Sequence, residues 1–156
     1  MDIGKLKRVL RTVDDEELLY DLYHLSLALV QTSLGYDFTY GEYTEEKEGT
    51  IIYLNHAPVI EVTNLETDAE EYSINQRYGV IYFDSVEEIK IEYVGGFEEL
   101  PEDLEFAVIM NCESIYNRLG SSGVSRESVS GYTVEYIDSF PPVIVPILDK
   151  YRRIIL

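Results

Sequence analysis

The chain of 156 residues has no tryptophan, one cysteine, two histidines and only 12 lysines and arginines. A lone cysteine, Cys112, excludes an internal disulfide and fits a reducing compartment. Two histidines exclude a three-histidine zinc site. His24 has no ligand type at i+4, and His56 stands in a turn beside Pro58, so no zinc spacing is present. No apolar run approaches the roughly 20 residues of a membrane span. The start, Met1-Asp2-Ile3-Gly4-Lys5, has no apolar stretch behind it, so no signal peptide is expected. About 150 residues suffice for one domain that buries roughly 70% of its unfolded surface.

Acidic residues are abundant. Thirty aspartates and glutamates give a net charge of −18. Residues 1–60 carry 5 basic and 11 acidic side chains, residues 61–105 carry 2 and 14, and residues 106–156 carry 5 of each. The excess therefore sits in the first two thirds. It argues against direct DNA binding, which needs clustered lysine and arginine. A surface past which DNA slides without sticking has the same sign. The 14 tyrosines suit half-wet interfaces or strands equally.

Ile3, Leu6, Val9 and Leu10 fall on one side of a short helix over 2–11, with Lys5, Lys7, Arg8 and Arg11 outward. Thr12 or Asp14 is the expected cap of a second helix, with Asp15, Glu16 and Glu17 near its positive end and Gly35 as its stop. This helix has two apolar seams. One is Leu18, Leu22, Leu25 and Leu29; the other is Tyr20, Tyr23, Leu27, Val30 and Leu34. At about 100° per residue they lie roughly 150° apart. A helix apolar on two nearly opposite sides is covered on both. Either it is sandwiched inside its own domain, or the seam of Tyr20, Tyr23, Leu27, Val30 and Leu34 meets a neighbouring subunit.

Residues 36–48 read as a polar, tyrosine-rich loop or an ill-formed hairpin. Short alternating or β-branched runs follow at 50–54, 59–65, 71–74, 80–83 and 88–94, separated by turn signals. They predict a small antiparallel meander inserted into a helical chain. Gly95-Gly96 ends the last strand. Pro101, Glu102 and Asp103 open a helix to about 119, with Leu104, Val108, Cys112, Ile115 and Leu119 as its stripe. Residues 124–130 suit a helical turn, and Tyr132–Ile137 a strand or extended arm. Pro146 begins a last helix that ends near Arg153.

No reaction chemistry emerges. Cys112 lies on a core stripe, where a thiol acts as a small apolar group. Ser121, Ser122, Ser125, Ser128 and Ser130 lack a nucleophile-elbow motif, and no phosphate-binding loop is present. Glu98, Glu99, Glu102, Asp103 and Glu105 crowd a helix start, where carboxylates are favoured without any metal. The tail differs. Tyr151, Arg152 and Arg153 precede the apolar triplet Ile154, Ile155 and Leu156, a pattern that folds back on the core or docks on a partner.

The order of segments carries a resemblance. It comprises "HAPVIEV" (56–62), "IEYVGGFEELPEDLEFAVIMNCESIYNR" (91–118), "GVSRESVSGYTVEY" (123–136) and the proline-led "ILDKYRR" (147–153). Across nearly its whole length the chain resembles the head–tail connector (adaptor, or head-completion) proteins of tailed bacteriophages. The resemblance implies an α+β fold, a mainly helical bundle (helices about 2–34 and 101–119) with an inserted β-rich part (about 50–94) and a C-terminal arm and docking helix (about 131–156), as one connector domain. It implies a homo-oligomeric ring, commonly of twelve subunits, below the portal. Such a ring extends the DNA channel, meets a tail-side stopper or completion protein, and lets double-stranded DNA pass unbound. The implied location is the virion's head–tail junction, assembled in the host cytoplasm, with no enzymatic activity, cofactor, metal or membrane. Tyr151, Arg152, Arg153, Ile154, Ile155 and Leu156 become portal-docking candidates, and Glu87, Glu88, Glu98 and Glu99 channel-lining candidates. Two other readings stand beside it. One is an acidic DNA mimic occupying a DNA-binding protein. The other is a metal-assisted hydrolase using the acids of 98–105.

Overall fold

The computed structural model describes residues 3–10, 15–119, 126–129, 132–135 and 140–154. Its elements run α1 (Ile3–Leu10), α2 (Glu16–Leu34), β1 (Gly41–Tyr53), β2 (Val59–Glu66), β3 (Tyr72–Asn75), β4 (Val80–Gly95), α3 (Glu102–Leu119), β5 (Arg126–Val129), β6 (Tyr132–Glu135) and α4 (Val145–Tyr151). The fold class is α+β. Two compact units divide the chain. One comprises residues 1–34 and 102–152, the other residues 35–101 and 153–156.

In the helical unit, Asp15 caps α2. Its Oδ1 accepts the backbone N–H groups of Glu17 and Leu18 at 3.1 and 3.2 Å. The cap is thus Asp15; the expected caps Thr12 and Asp14 lie outside the described residues. Gly35, with φ +81°, provides the left-handed turn after the helix. The buried face of α2 is Leu19, Leu22, Tyr23, Ser26, Val30 and Leu34. The helix packs mainly on α3, which buries Leu104, Ala107, Val108, Ile109 and Cys112. Each fully buried leucine contributes roughly 1.5–3 kcal/mol. A polar node fixes the register. Buried Ser26 donates to the Val108 carbonyl at 2.7 Å, and Asn111 donates to the Ser26 hydroxyl at 3.0 Å. Lys5 pairs with Glu105 at 2.6 Å and Lys7 with Glu16 at 2.8 Å, so the outward lysines of α1 reach both longer helices.

The sheet unit is built around β4. All pairings between its strands are antiparallel. Strand β1 lies along one edge of β4; β2 and then β3 lie end to end along the other. Two corrections to the sequence reading follow. Residues 41–48 are not loop but the first half of β1, paired from Gly41↔Gly95 to Glu48↔Glu88. The runs at 80–83 and 88–94 are one strand of 16 residues. Asp84-Ser85 marks an irregularity between Gly49↔Glu87 and Ile51↔Tyr82, where the flanking partner changes from β3 to β2. One sheet face packs Ile52, Ile81, Phe83, Ile89, Ile91 and Tyr93. Strands β5 and β6 form a separate hairpin: β6 takes the strand option read for Tyr132–Ile137, and β5 stands where a helical turn is expected over 124–130.

Candidate functional site

The sheet's two faces have opposite chemistry. Directly paired residues of antiparallel strands share a face. Tyr43↔Tyr93, Glu45↔Ile91 and Lys47↔Ile89 face inward. The alternate set faces solvent, with Glu42↔Val94, Glu46↔Lys90 and Glu48↔Glu88 on one side of β4 and Glu61↔Val94 and Glu66↔Lys90 on the other. With Glu92, seven carboxylates from three strands share this face with a single ammonium, Lys90, which lies 3.9 Å from Glu66. Of the four expected channel acids only Glu88 belongs to it. Glu87 lies one residue out of phase and accepts a hydrogen bond from Ser85 at 2.6 Å. Glu98 and Glu99 are exposed in the connection between β4 and α3.

Glu45 is the exception among the acids, because it is buried. Both its oxygens accept the Asn55 backbone N–H, at 3.0 and 3.1 Å. Lys47 lies 3.2 Å away, and the Tyr93 hydroxyl donates to Oε1. The His56 ring stacks flat on Tyr43 with centroids 3.4 Å apart, placing Nδ1 3.7 Å from Glu45 and Nε2 4.0 Å from Asp37. Burial, then the Glu45 carboxylate, raise the Tyr93 phenol far above its ordinary pKa. A tyrosine, a glutamate and a histidine so joined resemble a catalytic set. Yet the carboxylate is fully engaged by these donors, and its acceptor capacity goes to holding the chain turn at Asn55. The open groove nearby is lined by Glu46–Glu48, Leu65–Asp68 and Glu88–Lys90 and takes in part of the acidic face. No group of three or more His, Cys, Asp and Glu side chains among the described residues is arranged to hold a metal ion. Cys112 is buried and donates to the Leu22 carbonyl, and burial pushes its thiol up to about 11.

The second helix divides differently from its sequence pattern. Of the expected interface seam, Tyr23, Val30 and Leu34 are buried within the chain, and Leu27 is half-buried. That placement corrects the seam, because a side chain already covered has little surface left for a neighbour. Tyr20 is 53% exposed, and the open face continues through His24, Leu25 (49%), Ala28 and Leu29 (42%). Tyr20 and His24 lean ring against ring at 4.1 Å. Two stripes of nearly equal apolarity cannot reveal which faces inward. Ser26, whose hydroxyl finds the Val108 carbonyl, lies on the inward one.

The tail alternates. Tyr151 is buried and donates to Asp103 at 2.7 Å. Arg152 is exposed and pairs with Asp149 at 2.9 Å. Arg153 is buried and donates to the Leu54 carbonyl at 2.8 Å. Ile154 is 77% exposed. Ile155 and Leu156 lie outside the described residues. Tyr151 and Arg153 are thus spent within the subunit, leaving Arg152 and Ile154 open. Hydrogen bonding from Lys150 holds the Asp103 carboxyl below its ordinary value, with Tyr151 and the Leu104 N–H assisting. A carboxyl depressed on folding stabilises above its unfolded value, and that stabilisation disappears as pH falls through the folded one. Amide protection across α4, corrected for the intrinsic pH dependence of exchange, should therefore fall below about pH 4. Asp103→Asn should already exchange faster at neutral pH, with a flatter acid limb.

The family model described as head completion protein matches residues 6–154. No curated protein matches. Among solved structures, the chain is similar to one from the neck of an empty gene transfer agent particle, computed with C6 symmetry. The TM-score is 0.60 at 15% identity, covering 100% of this chain and 91% of that one. A chain from the virion of a native gene transfer agent particle matches with TM-score 0.62 at 14% identity and the same coverage.

Proposed function

Because this chain belongs to the head completion protein family, we propose that it forms a ring below the portal, extending the DNA channel between head and tail. Membership itself places the chain in the virion as a structural protein of the head–tail junction. The ring, its surfaces and its partners are the proposal.

The observation that carries it is the presence of two chemically distinct surfaces. One is the acidic sheet face, the other the open face of α2. A ring of identical subunits needs a heterologous contact that closes. Between copies that each carry −18, most approaches set carboxylate against carboxylate. Past its first turn, where Glu16 and Glu17 are exposed as well, the exposed α2 positions 20, 21, 24, 25, 28, 29 and 32 hold one acid, Asp21. This charge-poor, apolar strip is where a second copy approaches without that repulsion. The acidic sheet face turns toward DNA, whose phosphates it repels within a Debye length of about 8 Å at physiological salt. A tail-side completion protein meets the ring's far side. A DNA mimic would use the same carboxylates against a basic groove; in the virion they need no such partner.

Leu25→Glu with Leu29→Glu tests the strip. Both side chains are exposed, so helix content by circular dichroism should be retained. Ring assembly on the portal, seen by negative-stain microscopy, should be lost. Rings formed normally by the double variant would move the subunit contact elsewhere.

A further inference from the structure

We propose that the sheet unit modifies itself, forming an isopeptide bond between the side chains of Lys47 and Asn55 with the buried Glu45 carboxylate as the catalytic residue. The inference stands apart from the ring reading, because every atom it uses lies within residues 45–55 and β4.

An amine, a carboxamide and a carboxylate meet at one point. Lys47 Nζ donates to Asn55 Oδ1 at 2.7 Å and lies 3.2 Å from Glu45 Oε2. Eight residues of straight strand would part positions 47 and 55 by about 26 Å. The irregularity between Gly49 and Ile51 turns the chain back so that they touch. A C=O bond is about 1.23 Å long, so the Asn55 Cγ stands at most about 4 Å from Nζ. Reacting atoms are poised at roughly 3–3.5 Å, so a small turn of the amide closes the gap. Glu45 is 9% exposed. The Tyr93 hydroxyl donates to its Oε1, and the Asn55 backbone N–H donates to both oxygens at 3.0 and 3.1 Å. Asn55 is thus anchored to the carboxylate that meets the lysine. These donors all belong to this chain, so the reaction open to Glu45 is one among its own neighbours.

The step balances without an oxidant, reductant or co-reactant. Glu45 Oε2 takes a proton from the Lys47 ammonium, which turns a partly buried ion pair into a neutral pair and frees the Nζ lone pair. Nζ attacks Cγ of Asn55, and a new C–N bond forms. The bond from Cγ to Nδ2 breaks. The proton held by Glu45 passes to the departing nitrogen, and a second proton shed by Nζ follows it. An ammonium and a primary amide thus become a secondary amide and an ammonium ion, and the Glu45 carboxylate is regenerated. Asn55 is exposed, so ammonia leaves directly to solvent. The product closes residues 47–55 into a covalent ring across the bend of β1, which restricts the unfolded chain.

The test is the intact mass of the full-length protein, followed by peptide mapping after trypsin. Wild type should weigh one ammonia less than its sequence. Trypsin should leave the chain uncut after Lys47, and fragmentation should give no ions that separate residues 47 and 55. Lys47→Arg should restore the full mass. Glu45→Gln, sampled at intervals after induction and checked for folding by circular dichroism, should form the bond at least about a hundred-fold more slowly. A wild-type mass equal to that of the sequence overturns the proposal, whether or not Glu45→Gln folds. Ammonia loss that persists in Lys47→Arg would be a succinimide at Asn55 and overturns it equally. Bond formation at an undiminished rate in Glu45→Gln overturns the catalytic assignment.

Discussion

Gly96→Ala should cost more than about 4 kcal/mol, enough to leave the sheet unit unfolded or barely stable against the 5–15 kcal/mol that holds typical domains together. Two effects add. Gly96 has φ +86°, a conformation that costs an L-residue roughly 1–2 kcal/mol. Steric contact costs more. A Cβ at 96 would stand 2.1 Å from the Thr39 carbonyl oxygen and 2.6 Å from the Tyr40 nitrogen, both backbone. No rotamer relieves that clash. The chain must part where Thr39 bridges Phe97 and the Phe97 N–H donates to the Phe38 carbonyl at 3.0 Å. Gly35→Ala is the control. Its φ is +81°, but its Cβ would meet only the Arg153 Cβ at 3.9 Å, so it should lose only what the left-handed backbone costs. Urea unfolding of both variants separates the contributions. Equal midpoints would show that the close approach at Gly96 carries no weight.

Glu45→Ala should cost about 3–5 kcal/mol, the range for breaking a buried charged network from one side. The loss strands the Asn55 N–H and the Tyr93 hydroxyl, both donors to this carboxylate. Lys47 keeps its bond to the Asn55 side chain at 2.7 Å, so its charge is not orphaned. Glu45→Gln should cost less, roughly 1–3 kcal/mol, because one acceptor survives. A double-mutant cycle of Glu45→Gln with Tyr93→Phe should return a coupling of about 1 kcal/mol or more. A coupling near zero would mean that these buried groups act independently and that the turn at Asn55 is held by something else.

The readable parts of this chain were those governed by local rules. Helices α2 and α3 announced themselves through 3.6-residue periodicity, acids in their first turns and Gly35 as a stop. The order of segments from His56 to Arg153 carried the family. Other features depend on pairing that local sequence does not encode. Gly41–Glu48 looks like loop because its outward positions are glutamates and threonine, poor strand formers in such a run. Only Tyr43 and Lys47, with buried Glu45 between them, face the core, and Glu45 becomes an interior residue solely through Asn55 and Tyr93. Asp84-Ser85 reads as a turn, yet β4 runs through it because β2 and β3 lie end to end beside it. Arg153 reads as surface charge in any sequence. Its socket joins residues 36, 53 and 79, which meet only in the folded sheet unit. Apolarity alone does not say which stripe of α2 finds α3: Tyr23, Val30 and Leu34 are buried within the chain, whereas Tyr20, Leu25 and Leu29 are exposed.

The central claim is that many copies of this chain close into a ring on the portal. Native mass spectrometry of the wild-type protein mixed with purified portal tests it most directly. The account predicts one discrete complex, a complete portal ring bearing a closed ring of connector subunits, that disappears with the Leu25→Glu and Leu29→Glu pair. Single subunits on the portal, an open-ended polymer, or portal and connector remaining apart would contradict it.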